Sequence, residues 1–271
     1  MFLLTHLLLS SQKENIGHFK PKTLSVNRSY RKENYAMKIE IWSDIVCPFC
    51  YIGKRRIENT LKNHPHADKI EVEWKSFLLN PDMVSDPTKK NIEYLAEIKG
   101  WSLDQAKQMT QQVVDMAAEE GLKFNMDQAV VANPKDGHRV IQYAKTQGLG
   151  DAMKERFLKA YFTEGKNIAD FETITALAVE VGLDADKVKE VLESGEYEEK
   201  IQYDIYQSRQ LGVRGVPFFV LDGKYGISGA QHPDVFKDTL DKAWSNYAKE
   251  NSPLEMVNAA SGDACDIDGK C

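Results

Sequence analysis

The motif Cys-Pro-Phe-Cys at residues 47–50 lies where a β-favouring stretch meets a helix-favouring stretch. Apolar residues from Ile39 to Val46 precede the motif, and the pattern from Tyr51 to Lys62 is helical. The N-terminus of a helix has free N–H groups and a partial positive charge, which stabilise a thiolate on the first cysteine. Pro48 then falls in the first helical turn, where its missing N–H costs nothing. The motif therefore predicts a strand-to-helix junction with thiol–disulfide chemistry.

Composition narrows the class of protein. The 271 residues are 42% hydrophobic, which is enough for one large domain or two modest ones. The net charge of -6 gives no basic footprint for nucleic acid, and no apolar run is long enough to cross a bilayer. We therefore expect neither a nucleic-acid partner nor a membrane. The four cysteines form two tight pairs, which favours redox or metal chemistry over a disulfide framework.

Residues 1–36 differ from the rest of the chain. Their apolar patch is short and has no positive charge before it, and no small-residue cleavage site follows. We interpret the segment as a disordered extension, or as an upstream start that precedes the true start at Met37. A cytoplasmic protein is the corresponding expectation.

The rest of the chain alternates between strand and helix patterns. Strands are predicted at Lys38 to Trp42, Ile70 to Leu79 and Val216 to Leu221, and Asp222-Gly223 predicts a hairpin turn into Lys224 to Ser228. Helices are predicted at Ser102 to Gly121, Pro134 to Gln147, Asp151 to Glu164, Asp170 to Val181, Asp184 to Glu193, Tyr197 to Leu211 and Pro233 to Lys249.

This order predicts an α/β protein with a thioredoxin-like fold and a large all-helical insertion. Residues 37–84 and 212–249 would form the thioredoxin-like domain, and residues 85–211 would form the insertion. An irregular loop of that length would be exceptional, so the insertion must have structure of its own. Residues 250–271 read as a flexible tail with the second cysteine pair.

Four segments carry a resemblance to a known family. Residues 43–53 (SDIVCPFCYIG) resemble the active-site segment of DsbA-like oxidoreductases of the FrnE-type branch, and residues 212–220 (GVRGVPFFV) resemble that family's cis-proline loop. Residues 229–231 (GAQ) and 133–139 (NPKDGHR) are also similar to that branch. The resemblance extends from Met37 to Tyr247.

The two cysteines of the motif have different expected roles. Cys47 at the helix tip should be an exposed nucleophile of low pKa. Cys50 is in line with Ile57 and Leu61 at helical spacing, so it should point inward and resolve the mixed disulfide formed at Cys47. The alternative is a static buried disulfide or two inert core cysteines.

The resemblance implies that Pro217 is cis and that its loop faces Cys47. The backbone N–H and C=O of Val216 would then be free to bind an extended substrate. An ordinary trans proline at the start of a strand is the alternative. Phe49 adds no hydrogen-bond donor near the thiolate, so we expect a reduction potential between roughly −270 and −120 mV, nearer the thioredoxin value.

The sequence allows more than one interpretation of two further polar residues near the motif. His138 either lines a substrate groove over the cysteines or is a helix-start histidine bonded to the backbone. Asp44 either moves protons to the thiols or caps the active-site turn. Phe77, Trp74, Tyr161 and Phe162 are expected in the core rather than on a peptide-binding surface.

Cys265 and Cys271 form a second pair, separated by five residues, at the end of the chain. Some FrnE-type proteins have a similar pair there, which implies an auxiliary redox role with Cys47 and Cys50. The pair could instead close as a stabilising disulfide. All four cysteines could also bind one zinc ion, although this spacing is wider than the usual two to four.

The sequence thus predicts a thiol–disulfide oxidoreductase that acts on cysteine-containing proteins or low-molecular-weight disulfides. We expect this enzyme to need no cofactor beyond its own disulfide, and glutathione is a candidate co-substrate. Two alternatives remain: a glutathione-dependent isomerase or transferase of the kappa type, which typically has a serine and no second cysteine, and a zinc-binding module without activity.

Overall fold

A mixed α/β arrangement is seen in the computed structural model, which describes residues 36–252. The strands are β1 (Met37–Ser43), β2 (Ile70–Ser76), β3 (Asp86–Lys90), β4 (Val130–Val131), β5 (Phe218–Leu221) and β6 (Tyr225–Ser228). The α-helices are α1 (Pro48–Lys62), α2 (Asn91–Lys99), α3 (Leu103–Glu119), α4 (Lys135–Thr146), α5 (Gly150–Phe162), α6 (Phe171–Glu180), α7 (Ala185–Ser194), α8 (Glu198–Gln210) and α9 (Pro233–Glu250).

The main sheet has four strands in the order β2-β1-β5-β6. β1 pairs parallel with β2 and antiparallel with β5, which in turn pairs antiparallel with β6. Helices α1 and α9 pack together and complete this layer. Its core consists of fully buried side chains, among them Ile39, Ile41, Ile57, Phe219, Phe236 and Leu240. The predicted thioredoxin-like fold is therefore confirmed.

The turn between β5 and β6 follows the sequence prediction. Asp222 and Gly223 have positive φ values of 53° and 63°. Two central residues of this conformation match the twist of a hairpin, and the pair Asp-Gly favours them. The N–H of Lys224 donates to the carbonyl of Leu221 at 3.0 Å, which closes the turn.

The second strand ends at Ser76 rather than at the predicted Leu79. The last residue of β1, Ser43, pairs with Ser76, so the next residues of β2 have no strand beside them. The N–H of Leu79 instead donates to the carboxylate of Asp44 at 2.8 Å. Apolar alternation alone does not reveal where a partner strand stops.

The insertion is not all-helical as predicted, because β3 and β4 form a small antiparallel sheet. β3 is short, contains Pro87 and consists of polar residues, so it lacks the alternation that predicts a strand. Helix α2 begins directly after β3, at Asn91, whose N–H donates to the carbonyl of Ala129 at 2.9 Å.

The core of the insertion also includes the residues that flank the cysteines. Ile45, Tyr51 and Ile52 belong to the same buried cluster as the apolar side chains of α4 to α7. Gly137 on α4 permits this packing, because a Cβ atom there would lie 2.8 Å from Cδ1 of Ile45. The strand-to-helix junction is therefore held between the sheet and the insertion.

A buried polar network joins α8 of the insertion to the sheet. The indole N–H of Trp42 donates to the carbonyl of Asp204 at 2.8 Å. The carboxylate of Asp204 accepts from the N–H of Ser76 at 2.8 Å and from the side-chain amide of Gln142 at 2.7 Å. Asp204 thus joins β1, β2 and α4.

We predict that Asp204→Ala destabilises the protein. It leaves the buried N–H of Ser76 without its acceptor and weakens the anchoring of the Gln142 amide, at a cost of roughly 1–3 kcal/mol for each buried group left unsatisfied. Urea unfolding measures the change. The matched control is Asp238→Ala on the exposed surface of α9, where a change within about 0.5 kcal/mol is expected. Equal stability of the two variants would contradict the role of the network.

Candidate active site

The two cysteines of the motif lie at the start of α1. Cys47 is the N-cap residue, with φ −96° and ψ 113°, and Pro48 is at the first helical position. The N–H of Cys50 donates to the carbonyl of Cys47 at 3.0 Å. Both cysteines are free thiols. The predicted placement of the motif at a strand-to-helix junction is therefore confirmed.

The burial of the two thiols agrees with the prediction for one cysteine only. Cys50 is fully buried and points inward, as predicted. Cys47 is only 3% exposed, so the prediction of an exposed nucleophile is wrong. The loop around Val216 covers it, and the Cys47 thiol donates to the Val216 carbonyl, with the sulfur and oxygen 3.5 Å apart.

The loop that covers Cys47 contains the predicted cis peptide, between Val216 and Pro217. Gly53 on α1 lets this loop approach the helix, because a Cβ atom there would lie 3.0 Å from Cγ of Pro217. The carbonyl of Val216 is not free as predicted, since Cys47 donates to it. The N–H of Val216 has no hydrogen-bond partner within residues 36–252.

Asp44 holds the turn that leads into Cys47. One oxygen of its buried carboxylate accepts from the N–H of Val46 at 3.3 Å, and the other accepts from the N–H of Leu79 at 2.8 Å. The first oxygen also lies 3.4 Å from Nε2 of His138. This geometry favours the reading of Asp44 as the residue that fixes the turn.

His138 does not line a groove over the cysteines, so its prediction as a substrate-binding residue is wrong. The side chain is 1% exposed and lies behind Asp44. Burial lowers the pKa of His138 and outweighs the opposing effect of Asp44. A neutral imidazole is therefore packed against Asp44 in the turn before Cys47.

The aromatic residues divide between core and surface. Trp74, Tyr161 and Phe162 are buried as predicted, and Phe77 is half-buried. Phe49, the residue between Pro48 and Cys50, is 39% exposed. Its ring is a large apolar group at the surface next to the covered Cys47.

The two thiols share their ionisation. The hydrogen bond with Cys50, together with burial, raises the pKa of Cys47, so the prediction of a low pKa for Cys47 is wrong. Burial also acts to raise the pKa of Cys50, but the adjacent Cys47 thiol and the charge of Lys154 lower it overall. The nearness of the two thiols therefore opposes ionisation at Cys47 and favours it at Cys50.

Sequence reasoning missed Lys154 on α5. Its side chain is 1% exposed, and its ammonium donates to the carbonyl of Ser43 at 3.3 Å. Burial lowers the pKa of Lys154 to about 8. A signal was present in the sequence, because Lys154 precedes Phe157, Leu158 and Tyr161 by three, four and seven residues and so shares their apolar face.

No cluster of three or more potential metal ligands occurs among residues 36–252. Cys265 and Cys271 lie outside the described residues, so the proposed auxiliary pair and the four-cysteine zinc site both remain predictions. No helix in the described part of the chain is long and apolar enough to cross a membrane.

Two cysteines at a helix start, facing a cis-proline loop on a thioredoxin-like sheet, define a thioredoxin-fold protein with a dithiol site. Residues 38–241 match the family model of the DSBA-like thioredoxin domain. The chain belongs to this family.

Similar proteins agree with this assignment. YwbO of Bacillus subtilis (strain 168) is 30% identical over 214 residues, which cover 74% of this chain and 94% of YwbO. The crystal structure of a probable DsbA oxidoreductase from Streptomyces coelicolor is 38% identical, with a TM-score of 0.75, and covers 87% of this chain and 98% of that chain. The cytosolic disulfide reductase DsbM from Pseudomonas aeruginosa is 16% identical, with a TM-score of 0.54 over 79% of this chain and 98% of that chain, and shares the fold.

We predict that iodoacetamide modifies Cys47 before Cys50 in the folded, reduced protein. Of the two thiols, only that of Cys47 belongs to a residue with exposed surface, although Cys50 has the lower pKa. Peptide mapping by mass spectrometry should find the adduct on Cys47, with Cys50 modified only after denaturation in urea. Modification of Cys50 at the same rate as Cys47 would show that access does not control reactivity at this site.

Proposed function

We propose that the protein is a thiol–disulfide oxidoreductase in which Cys47 attacks the substrate and Cys50 resolves the intermediate. The observation that carries this proposal is the contact between the Cys47 thiol and the Val216 carbonyl, 3.5 Å apart. It puts the slightly exposed sulfur against a backbone edge that an extended substrate can also use. Cys50 lies behind it, out of reach of external disulfides.

The reaction begins when a substrate disulfide replaces Val216 as the neighbour of the Cys47 sulfur. The Cys47 thiol loses its proton, which the departing substrate thiolate takes up, and the Cys47 thiolate attacks one substrate sulfur. The substrate S–S bond breaks, one substrate thiolate leaves, and a mixed disulfide forms at Cys47. Cys50 then attacks Cys47 and releases the second substrate thiolate, which takes up the proton of the Cys50 thiol. The substrate gains two electrons, and the protein gains the Cys47–Cys50 disulfide.

Groups around Cys47 suit cysteine-containing proteins or low-molecular-weight disulfides as substrates. The Val216 N–H can donate to a substrate backbone, and the Phe49 ring offers an apolar contact. Pro217 keeps its loop against α1 beside Gly53. Glutathione is the candidate small co-substrate.

Two effects on the reduction potential oppose each other. Burial of both thiols disfavours the thiolate, which makes the pair more reducing, whereas the charge of Lys154 favours it. This balance supports a potential between roughly −270 and −120 mV, nearer the thioredoxin end.

We also assign the protein to the FrnE-type branch and to the cytoplasm. The residues that support the branch are those of the Gly229-Ala230-Gln231 and Asn133–Arg139 segments. Immunoblotting of fractionated cells tests the location, and recovery with an exported fraction would contradict it.

Insulin reduction with dithiothreitol tests the proposed function. The wild-type protein should accelerate insulin precipitation, whereas Cys47→Ser should reduce the rate to that of dithiothreitol alone, because the attacking sulfur is missing. Cys50→Ser should accumulate a mixed disulfide at Cys47 that mass spectrometry detects. Turnover that Cys47→Ser leaves unchanged would defeat the assignment.

The same experiment separates the alternative classes. A kappa-type glutathione-dependent enzyme needs no second thiol, so it would keep its activity in Cys50→Ser. A zinc-binding module would show no turnover and would retain zinc through purification. The presence of two thiols at the site favours the oxidoreductase over the kappa-type enzyme.

We predict that Cys265 and Cys271 exchange electrons with the Cys47–Cys50 pair. Replacing both tail cysteines with serine should leave the potential of Cys47–Cys50 unchanged but slow turnover with insulin, since an internal exchange partner is lost. Equilibration with glutathione gives the potential in both proteins. A tail variant that turns over as fast as the full protein would exclude the auxiliary role.

A further inference from the structure

The loop that covers Cys47 contains an exposed arginine, Arg214, whose charge is not balanced by a neighbour. Arg209 and Arg214 are the two arginines of residues 36–252 that form no ion pair within that part of the chain. The other four arginines there pair with carboxylates: Arg55, Arg56, Arg139 and Arg156. Most arginines of the fold thus have an anionic partner, and Arg214 needs a separate explanation.

The position of Arg209 explains that residue but not Arg214. Arg209 lies in the last turn of α8, where a positive charge is favourable beside the free carbonyl groups of the helix end. Arg214 lies beyond the helix, and its guanidinium has neither a hydrogen bond nor an ion pair among residues 36–252. Binding residues are often found on loops that a rigid scaffold holds in place. An exposed cation that supports no part of the described fold is therefore a candidate for contact with a ligand.

The backbone on both sides of Arg214 is held in place. On one side, Val213 is buried, and its N–H donates to the carbonyl of Ser208 at 2.9 Å. On the other side, the carbonyl of Pro217 accepts from the N–H of Gly229 at 2.8 Å. The loop therefore presents the Arg214 side chain from a fixed point, which lowers the entropy cost of binding a ligand there.

Arg214 starts close to the reacting sulfur. Two residues of extended chain span at most about 7 Å, so the Cα atoms of Arg214 and Val216 are no farther apart than that. The carbonyl oxygen of Val216 is in turn 3.5 Å from Sγ of Cys47. A substrate whose sulfur replaces Val216 beside Cys47 therefore has its neighbouring atoms within reach of the long Arg214 side chain.

The chemistry of a guanidinium indicates which substrate group suits this place. Its planar N–H groups bind a carboxylate through two parallel hydrogen bonds, and the anionic groups of disulfides derived from cysteine are carboxylates. The net charge of -6 repels such an anion at long range. A cation at the site offsets that repulsion where the disulfide must bind.

We propose that Arg214 binds a carboxylate of the substrate next to its disulfide and so makes the site selective for anionic disulfides. This inference rests on the proposed function, since it concerns which disulfide Cys47 attacks. The carboxylate can belong to a low-molecular-weight disulfide such as oxidised glutathione, or to an acidic side chain beside a cysteine of a protein. The covalent step is unchanged: the Cys47 sulfur bonds to one substrate sulfur, the substrate S–S bond breaks, and the departing thiolate takes up the proton of Cys47.

Three small disulfides of different charge test the proposal: dithiodipropionate with carboxylates, bis(2-hydroxyethyl) disulfide without charge, and cystamine with ammonium groups. All proteins carry Cys265→Ser and Cys271→Ser, so that only the active-site pair is oxidised. Samples of the reduced protein are quenched with acid during the reaction, and the remaining thiols are alkylated and counted by mass spectrometry. The rate constant for each charged disulfide is divided by that for the neutral one, which removes effects common to all three.

We expect Arg214→Gln to lower the carboxylate-to-neutral ratio by about threefold to tenfold, because it removes a charge-assisted hydrogen bond at a site that is partly open to water. The ammonium-to-neutral ratio should rise. Arg214→Lys should keep part of the preference, since it keeps the charge but loses the planar pair of donors. Sodium chloride at about 0.5 M should weaken the preference of the parent protein, because salt screens exposed charges.

Arg209→Gln is the matched control, because it removes the other exposed arginine without an ion pair, five residues earlier in the chain. It should leave both ratios unchanged. An equal shift in the two variants, or unchanged ratios in Arg214→Gln, overturns the proposal. Equal slowing of Arg214→Gln with all three disulfides also overturns it, because the charge then acts on the thiolates and not on the substrate.

Two further substrates distinguish the sources of the carboxylate. Oxidised glutathione represents the small disulfides, and a peptide disulfide with aspartate beside its cysteine, compared with the same peptide with asparagine, represents proteins. A preference that Arg214→Gln abolishes with glutathione alone assigns the carboxylate to small disulfides, and one abolished with the peptide alone assigns it to proteins. The absence of such a preference with both substrates overturns the proposal.

Failure of the proposed function gives a different result. In that case the parent protein is not oxidised by the neutral disulfide or by either charged one, and its Cys47–Cys50 thiols remain available for alkylation. That result overturns both the proposed function and the role of Arg214. Oxidation of the parent by all three disulfides with equal rate constants, by contrast, leaves the proposed function intact and overturns the role of Arg214 alone.

Discussion

The carboxylate of Asp44 fixes the position of the whole site. It lies at the end of β1 and accepts N–H groups from Val46, on the turn to the cysteines, and from Leu79, on the chain that leaves β2. His138 from α4 contacts the same carboxylate. The end of the sheet, the start of the cysteine helix and the insertion thus meet at one buried anion. Cys47 can face Val216 only because this turn is held from behind.

Burial determines how the thiols ionise. A thiol at a helix N-terminus and open to water would be acidic, and the sequence led to that expectation for Cys47. In the folded protein, the loop at Val216 covers Cys47, and the nearest stabilising groups surround Cys50 instead. The inner thiol is therefore the more acidic of the two. Attack by the outer sulfur requires its thiol to lose the proton that it donates to Val216, which ties reactivity to the removal of the Val216 contact by substrate.

The sequence was sufficient for features that depend on local pattern. The Cys-Pro-Phe-Cys motif located the helix start, Asp222-Gly223 located the hairpin, and helical spacing placed Cys50 inside. It failed where the outcome depends on residues distant along the chain. The end of β2 depends on where β1 stops. The exposure of Cys47 depends on the Val216 loop, which is far along the chain, and the position of His138 depends on its contact with Asp44. The short β3–β4 pair has too few residues to produce a periodic signal.

The insertion does more than cover the cysteine helix. Ile45, Tyr51 and Ile52 are packed into its core, so the junction cannot take its shape without it. His138 and Lys154 both come from its helices: the His138 imidazole contacts Asp44, and the Lys154 ammonium donates to the carbonyl of Ser43. A thioredoxin-like layer alone would lack both of these groups and the packing around Ile45, Tyr51 and Ile52. The chemistry of the pair is therefore a property of both parts of the fold, and a change within α5 should alter it as directly as a change within the motif.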